Sequence, residues 1–221
     1  MQPQSDPFIV PLCDGEIIII YQDEHLLLIN KPGGLLSLSG KHPLNKDSVH
    51  FRLVKDYPMA TMVHRLDFGT SGIMLVALNK AVNAHLTKQF QTRSVVKYYT
   101  GMLQGHLKND EGVIEFPIAK DDFPLQKICH LSGKSAVSYY QVIERLNKPL
   151  ATKVLFKPLT GRTHQLRIHS REIGHPILGC DLYASDEAFN LSPRLMLHSS
   201  QLEFDHPISG ERIKGICPSP F

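Results

Sequence analysis

Tryptophan is absent from the 221 residues, and the four cysteines, Cys13, Cys129, Cys180 and Cys217, stand far apart with no Cys-x-x-Cys pair among them. That spacing excludes a zinc ribbon and a dense disulfide framework and leaves free thiols. Among the 12 histidines only His164 and His169 lie close together, and no HExxH pattern accompanies them, so no metal site is expected. No apolar run nears the roughly 20 residues that a membrane-spanning helix needs. The strongest one, Ile17 to Ile20, has the length of a strand. The first residues, MQPQSDPF, show no basic stretch followed by an apolar one, so no secretory leader and a cytoplasmic location are expected.

Hydrophobic residues make up 42% of the chain and charged ones 20%, the balance of an ordinary globular protein. The net charge of +3 is unevenly spread. Residues 1–30 hold Asp6, Asp14, Glu16, Asp23 and Glu24 with no Lys or Arg, whereas 31–97 hold ten bases against Asp47, Asp56 and Asp67. The stretch 125–171 holds nine bases against Glu144 alone. Two basic blocks that converge would form a cleft for a polyanion such as RNA or DNA; scattered solubilising lysines would give the same counts.

Apolar runs at Ile17–Tyr21 and Leu26–Asn30, parted by the polar turn Gln22 to His25, predict an opening β-hairpin. Lys31-Pro32-Gly33-Gly34 stops it. A helix is expected over 47–57, with Asp47 or Ser48 as N-cap and Pro58 as its end. Ile73–Leu78 reads as a buried strand, and Asn79 as the cap of a helix whose Val82, Leu86 and Phe90 repeat every four residues. Further strands are expected at Tyr98–Leu103, Val137–Ile143 and Lys153–Phe156. A last helix over Thr163–Ile173 is capped by Thr163 and stopped by Gly174 and Pro176. With no repeat and no long linker, the expectation is one continuous α+β domain.

Two constellations carry chemistry. In His64-Arg65-Leu66-Asp67-Phe68-Gly69-Thr70-Ser71-Gly72, a carboxylate lies two residues after an arginine and beside two hydroxyls, on a loop set against a strand. A nearby guanidinium favours the ionised carboxylate, which can then act as nucleophile or base. A turn whose Asp, Thr and Ser simply satisfy local N–H groups contains the same residues. In Lys157-Pro158-Leu159-Thr160-Gly161-Arg162-Thr163-His164-Gln165-Leu166-Arg167, a helix N-terminus and two arginines suit a phosphate; a capped surface helix is the plainer reading.

These segments resemble those of the RluA-type pseudouridine synthases. His64 to Gly72 is similar to the family's HRLDxxTSG signature, Lys157 to Arg167 to its KPxTGRxHQxR segment, and Tyr21 to Gly34 to its YxDxxLxxxNKPxG opening. Lys97-Tyr98-Tyr99 resembles the KxY element. His175 to Gly179 and Leu197-His198 resemble the later HPILG and LH elements, so ordered matches run from about residue 17 to 208. The resemblance implies an α+β fold on a mixed, mainly antiparallel sheet with flanking helices. It divides the chain into an N-terminal extension, 1–16, and a catalytic domain, 17–221, with no S4 domain. It further implies isomerisation of uridine to pseudouridine without a cofactor, in structured RNA, 23S rRNA and a tRNA anticodon stem-loop, by a monomer free of the membrane.

By the same resemblance Asp67, Tyr99 and Arg167 are the catalytic set: the essential aspartate, a tyrosine stacking on the base, and the arginine paired with the aspartate. Arg65 fills the space left by an extruded nucleotide, since a stacked uridine hides both faces of its glycosidic bond. Lys31, Arg65, Thr70, Arg162, His164 and Gln165 are expected to contact substrate or RNA. One departure stands out: Cys180 occupies the position where the family's LGD carries Asp, and Asp181 follows it. A catalytically silent RNA binder and a hydrolase using Asp67 with His64 or His164 are the competing classes. The first has no need of a carboxylate facing a polyanion, and the second lacks a GxSxG or a metal set.

Overall fold

The structure is a computed structural model that describes residues 9–221. The first half of the expected N-terminal extension, 1–8, therefore lies outside the described residues. In chain order the elements are β1 (Ile18–Gln22), β2 (Leu26–Lys31), α1 (Val49–Leu53), β3 (Thr61–Met62), β4 (Ser71–Ala77), α2 (Lys80–Thr92), β5 (Val96–Gln104), β6 (Glu111–Glu115), β7 (Ile118–Lys120), β8 (Gln126–Ile128), β9 (Val137–Asn147), β10 (Leu150–Pro158), α3 (Gln165–Glu172), α4 (Asp186–Asn190), β11 (Leu197–Asp205) and β12 (Arg212–Ile216). They gather into two compact units. One comprises the chain up to Val95 with Gln201–Pro218, the other Val96–Ser200 with Ser219–Phe221. Strands predominate and the helices are few, as the α+β reading expected.

In the first unit β2 pairs antiparallel with both β1 and β4. The expected hairpin forms because the Asp23 carboxylate accepts from the backbone N–H of His25 (2.7 Å) and Leu26 (2.9 Å), closing the turn. Every residue of β4 and all but one of β2 is buried, which explains their unbroken apolar runs: both faces are covered. α2 supplies part of that cover. Asn79 caps it by accepting from Val82 N–H, and Val82 and Leu86 enter a core with Leu28, Ile73, Leu75 and Phe204. Gln89 fixes its far end through paired bonds with the backbone of Asp205, at 2.7 and 2.9 Å. α1 is shorter than expected, Val49–Leu53 instead of 47–57. Ser48 caps it, and after Leu53 the chain passes into turns, since Pro58 disfavours helical backbone at Tyr57.

The second unit is an antiparallel sheet in which β10 lies between β5 and β9 and β9 carries β6, beside a separate β7–β8 pair. Its core gathers Leu103, Val154, Phe156, Leu166, Ile168, Ile177 and Leu197. α3 is driven into this core, with six of its eight residues buried. It starts two residues later than expected and Thr163 does not cap it. His164 is the N-cap residue, in left-handed backbone (φ 56°), and it makes no side-chain cap bond. The Gln165 side chain braces the segment before the helix: its Oε1 accepts from the Arg162 N–H at 3.0 Å. The C-terminal stop is as expected, at Gly174 with φ 81°, a conformation that costs glycine little.

Candidate active site

In the first unit the Asp67 loop is tied down on both sides of the carboxylate by the segment that follows β2. Before Asp67, the Ser37 hydroxyl donates to the Leu66 carbonyl (2.7 Å) and accepts from the Leu66 N–H (3.1 Å). After it, the Phe68 carbonyl accepts from the Gly34 N–H (2.9 Å) and from the Lys31 ammonium (3.2 Å). The N–H of Thr70 closes a turn back onto the Asp67 carbonyl at 3.1 Å. Gly34 reaches Phe68 from positive φ, 78°, which a side chain would resist. Asp67 itself is half-buried and Arg65 is exposed. His64 serves the scaffold: its Nε2 accepts from the Leu75 N–H at 3.0 Å, and its ring stacks on Phe90 with centroids 4.7 Å apart.

Lys31 corrects an expectation. It is 0% exposed, and its ammonium also donates to the carbonyls of Pro32 (2.8 Å) and Leu35 (2.7 Å). A side chain buried among carbonyls is a strut of the loop and has no exposed ammonium for a phosphate. Thr70 is likewise buried, beneath the loop.

In the second unit α3 carries Arg167 inward, where it is 4% exposed. The segment Cys180 to Tyr183 encloses its guanidinium. Nη2 is ion-paired with Asp181, Nε donates to the Cys180 thiol at 3.3 Å, and the Tyr183 ring lies under the cation with its centroid 5.2 Å away. The carboxylate beside Arg167 is thus that of Asp181, the residue after Cys180. Tyr183 also accepts from the Gln126 N–H (3.0 Å), and its hydroxyl meets His164 Nδ1 at 2.7 Å. Asp181 and Tyr183 were not expected in the site. The proximity of Asp181 to the departure at Cys180 was the signal available for the first, and no local pattern marks the second.

Gln165 is the second correction. It is buried and all of its polar capacity is used internally. Oε1 accepts from the Thr160 hydroxyl and the Arg162 N–H, while Nε2 donates to the Val137 carbonyl and the Ser138 hydroxyl. Ser138 in turn meets His169 Nδ1 at 3.0 Å, and His169 Nε2 meets the Phe116 carbonyl at 3.1 Å. Burial pushes the His169 pKa below its ordinary value. This network seats α3, so Gln165 orients the helix with its polar atoms turned inward. Arg162 is half-buried, with Nε donating to the Ser135 carbonyl at 3.0 Å. Tyr99, on β5 opposite Phe156, packs against the apolar core. Its neighbour Tyr98 points to the other face, where Lys157 Nζ lies 5.7 Å from its ring.

The expected residues therefore fall into two groups, Lys31, Arg65, Asp67 and Thr70 in one unit and Tyr99, Arg162, His164, Gln165 and Arg167 in the other. Among the described residues no helix is long and apolar enough to cross a membrane, and no three His, Cys, Asp or Glu side chains gather as a metal site.

Comparison with known proteins bears on this arrangement. The model of the RNA pseudouridylate synthase family matches residues 25–172. The chain is similar to the dual-specificity RNA pseudouridine synthase RluA of Yersinia pestis, 46% identical over 207 residues that cover 93% of this chain and 100% of the relative. It is similar to the Escherichia coli K12 protein of the same name, 44% identical over 93% of this chain and 94% of the relative. Among solved structures, human RNA pseudouridylate synthase domain containing 1 matches with a TM-score of 0.81 at 30% identity, covering 96% of this chain and 86% of its own. Human RNA pseudouridylate synthase domain containing 4 matches with a TM-score of 0.73 at 26% identity, covering 92% and 88%.

Proposed function

The chain belongs to the RNA pseudouridylate synthase family, and from that premise we propose that it isomerises uridine through Asp67 in both a ribosomal and a transfer RNA. The enzyme class is that of the family: an RNA pseudouridine synthase detaches uracil from its N1–C1′ bond and rejoins it through C5–C1′. The C5 hydrogen is lost to solvent and N1 gains a proton. In this reading the Asp67 carboxylate serves the reacting uridine, by attack at C1′ or C6 or by helping a glycal to form, and Arg167 is the arginine that the resemblance to the family pairs with it. Tyr99 stacks on the base and assists removal of the C5 proton. Arg65 takes the space of the extruded nucleotide, offsetting an unstacking cost of a few kcal/mol.

The observation that carries the reading is the Asp67 loop. A half-buried carboxylate with its backbone fixed at both neighbouring residues, and an exposed arginine two positions before it, is preorganised for work on one small group. Dual specificity is proposed from the similarity to relatives bearing that name. Residues 17–221 are proposed as the catalytic domain, acting as a monomer in the cytoplasm.

The test is tritium release from uridine labelled at C5, in 23S rRNA and tRNA transcripts assayed separately, with wild type and Asp67→Asn. Wild type releases tritium from both and the variant from neither, while its RNA affinity stays within about tenfold because phosphate contacts dominate binding. Release from one RNA alone removes the dual specificity, and release by Asp67→Asn removes Asp67 from the chemistry.

A further inference from the structure

Tyr183 stands outside the motifs through which the chain resembles its family, yet it touches two motif residues at once. Its ring is 5% exposed and packs in the core of the second unit. One arginine from each end of α3 approaches it, Arg167 at 5.2 Å and Arg171 at 5.5 Å from the ring centroid. Its hydroxyl lies 2.7 Å from His164, the residue that opens the helix, and is itself anchored by the Gln126 N–H.

We propose that Tyr183 is a positioning residue for uridine isomerisation, its ring fixing the plane of the Arg167 guanidinium. The inference rests on the reading of Arg167 as the partner of the catalytic aspartate. A guanidinium acts directionally, through N–H groups in one plane, so an arginine serving a reacting carboxylate must have that plane fixed. Asp181 and Cys180 take two of its nitrogens in the plane, but contacts in the plane leave rotation out of it opposed only weakly. An aromatic face beneath the cation opposes that motion, and its attraction is strengthened where water is excluded, as it is for an arginine 4% exposed. The bond to His164 ties the same ring to the N-cap residue of the helix that bears Arg167, so helix and guanidinium are set together.

The experiment replaces residue 183 by Phe and then by phenylalanines bearing one, two and three ring fluorines, which weaken the attraction for a cation with little change of volume. Single-turnover isomerisation at saturating RNA is measured with the RNA dissociation constant and the melting temperature. The rate falls stepwise along the series, by about threefold to thirtyfold in all, while affinity and melting temperature hold. A rate that stays flat across the series, or that falls only in step with melting temperature, overturns the proposal. Arg167→Lys is assayed in parallel. If it keeps the full rate, the reading of Arg167 fails. If Arg167 is required and the series is flat, the failure belongs to Tyr183 alone.

Discussion

The Lys31 ammonium, fully buried, ends 3.2 Å from the carbonyl oxygen of Phe68, the residue that follows Asp67. Together with its bonds to Pro32 and Leu35 it joins the end of β2 to the loop that carries the carboxylate. Replacing it by Met keeps the stem and takes a donor from three carbonyls, of which that of Phe68 retains the Gly34 N–H. Unpaired buried acceptors cost about 1–3 kcal/mol each and some will find other partners, so a loss of about 3 kcal/mol is expected, or about 6–12 °C in melting temperature. The salt dependence of RNA binding in Lys31→Met should stay that of wild type. A slope reduced by about one would return Lys31 to the phosphates.

Arg162 is the opposite case. It is half-buried and its side chain makes one described bond, from Nε to Ser135, which leaves its terminal nitrogens for solvent or RNA. Arg162→Ala should weaken RNA binding and flatten the slope of log affinity against log salt by about one, at nearly unchanged melting temperature. Filter binding at four or five salt concentrations decides it, and an unchanged slope separates Arg162 from the RNA backbone.

Local chemistry is what the sequence displays. The turn at Asp23, the cap at Asn79 and the stop at Gly174 are each specified within four residues, and each forms as read. The Asp67 loop was legible for the same reason, as polar residues and glycines gathered before an apolar strand. The start of α3 differs from the expectation because a contact distant in sequence bears on it. Thr163 is the better cap by type, but the Gln165 side chain, held by Ser138 from a strand 27 residues away, captures the Arg162 N–H. Lys31 and Tyr183 were hidden for a related reason. A lysine after a strand reads as solvated until the carbonyls that bury it are assembled, and Tyr183 acquires meaning only when Cys180 to Tyr183 folds against a helix closed ten residues earlier.

His169 gives the protein a dependence on pH. Its Nε2 proton goes to the Phe116 carbonyl, so Nδ1 accepts from Ser138 and the ring is neutral; burial lowers its pKa, while Glu172 and the Phe116 carbonyl oppose the shift. A depressed histidine pKa means that below about 6.5 the unfolded chain binds a proton the folded chain refuses, so this contribution to stability is complete above that pH and lost as pH falls toward the folded value. The melting temperature of wild type should decline as pH falls below about 6.5, and His169→Gln should flatten that part of the curve. Parallel curves would assign the decline to other groups.

The four thiols should differ sharply in reactivity. The Ser132 hydroxyl at 3.2 Å and the backbone N–H groups of residues 131–133 favour the Cys129 thiolate and bring its pKa to about 7. Burial pushes Cys217 to about 11, and Cys180 is enclosed against Arg167. Since the thiolate is the nucleophile, iodoacetamide at pH 7.5 should modify Cys129 well before those two, with a rate that is half-maximal near pH 7. Peptide mass spectrometry over a pH series reads this directly, and a midpoint near 9 would mean that the turn does not hold the thiolate.

Asp181, which follows the position where the family's pattern carries Asp, is ion-paired with Arg167. Asp181→Ala takes one carboxylate from the buried Arg167, but Asp181 is itself 61% exposed on its side chain, so solvent already screens the pair and the expected cost is about 2 kcal/mol. Because the Cys180 sulfur lies 3.3 Å from Arg167 Nε, a carboxylate placed there reaches the same guanidinium. Cys180→Asp in the Asp181→Ala background should therefore recover most of the lost melting temperature and isomerisation rate. Cys180→Asp alone should change little, since one buried cation gains little from a second carboxylate that must itself be desolvated. The four proteins form a double-mutant cycle. Additive effects would mean that residues 180 and 181 serve Arg167 separately, and recovery would mean that the cation needs one carboxylate, from either neighbour.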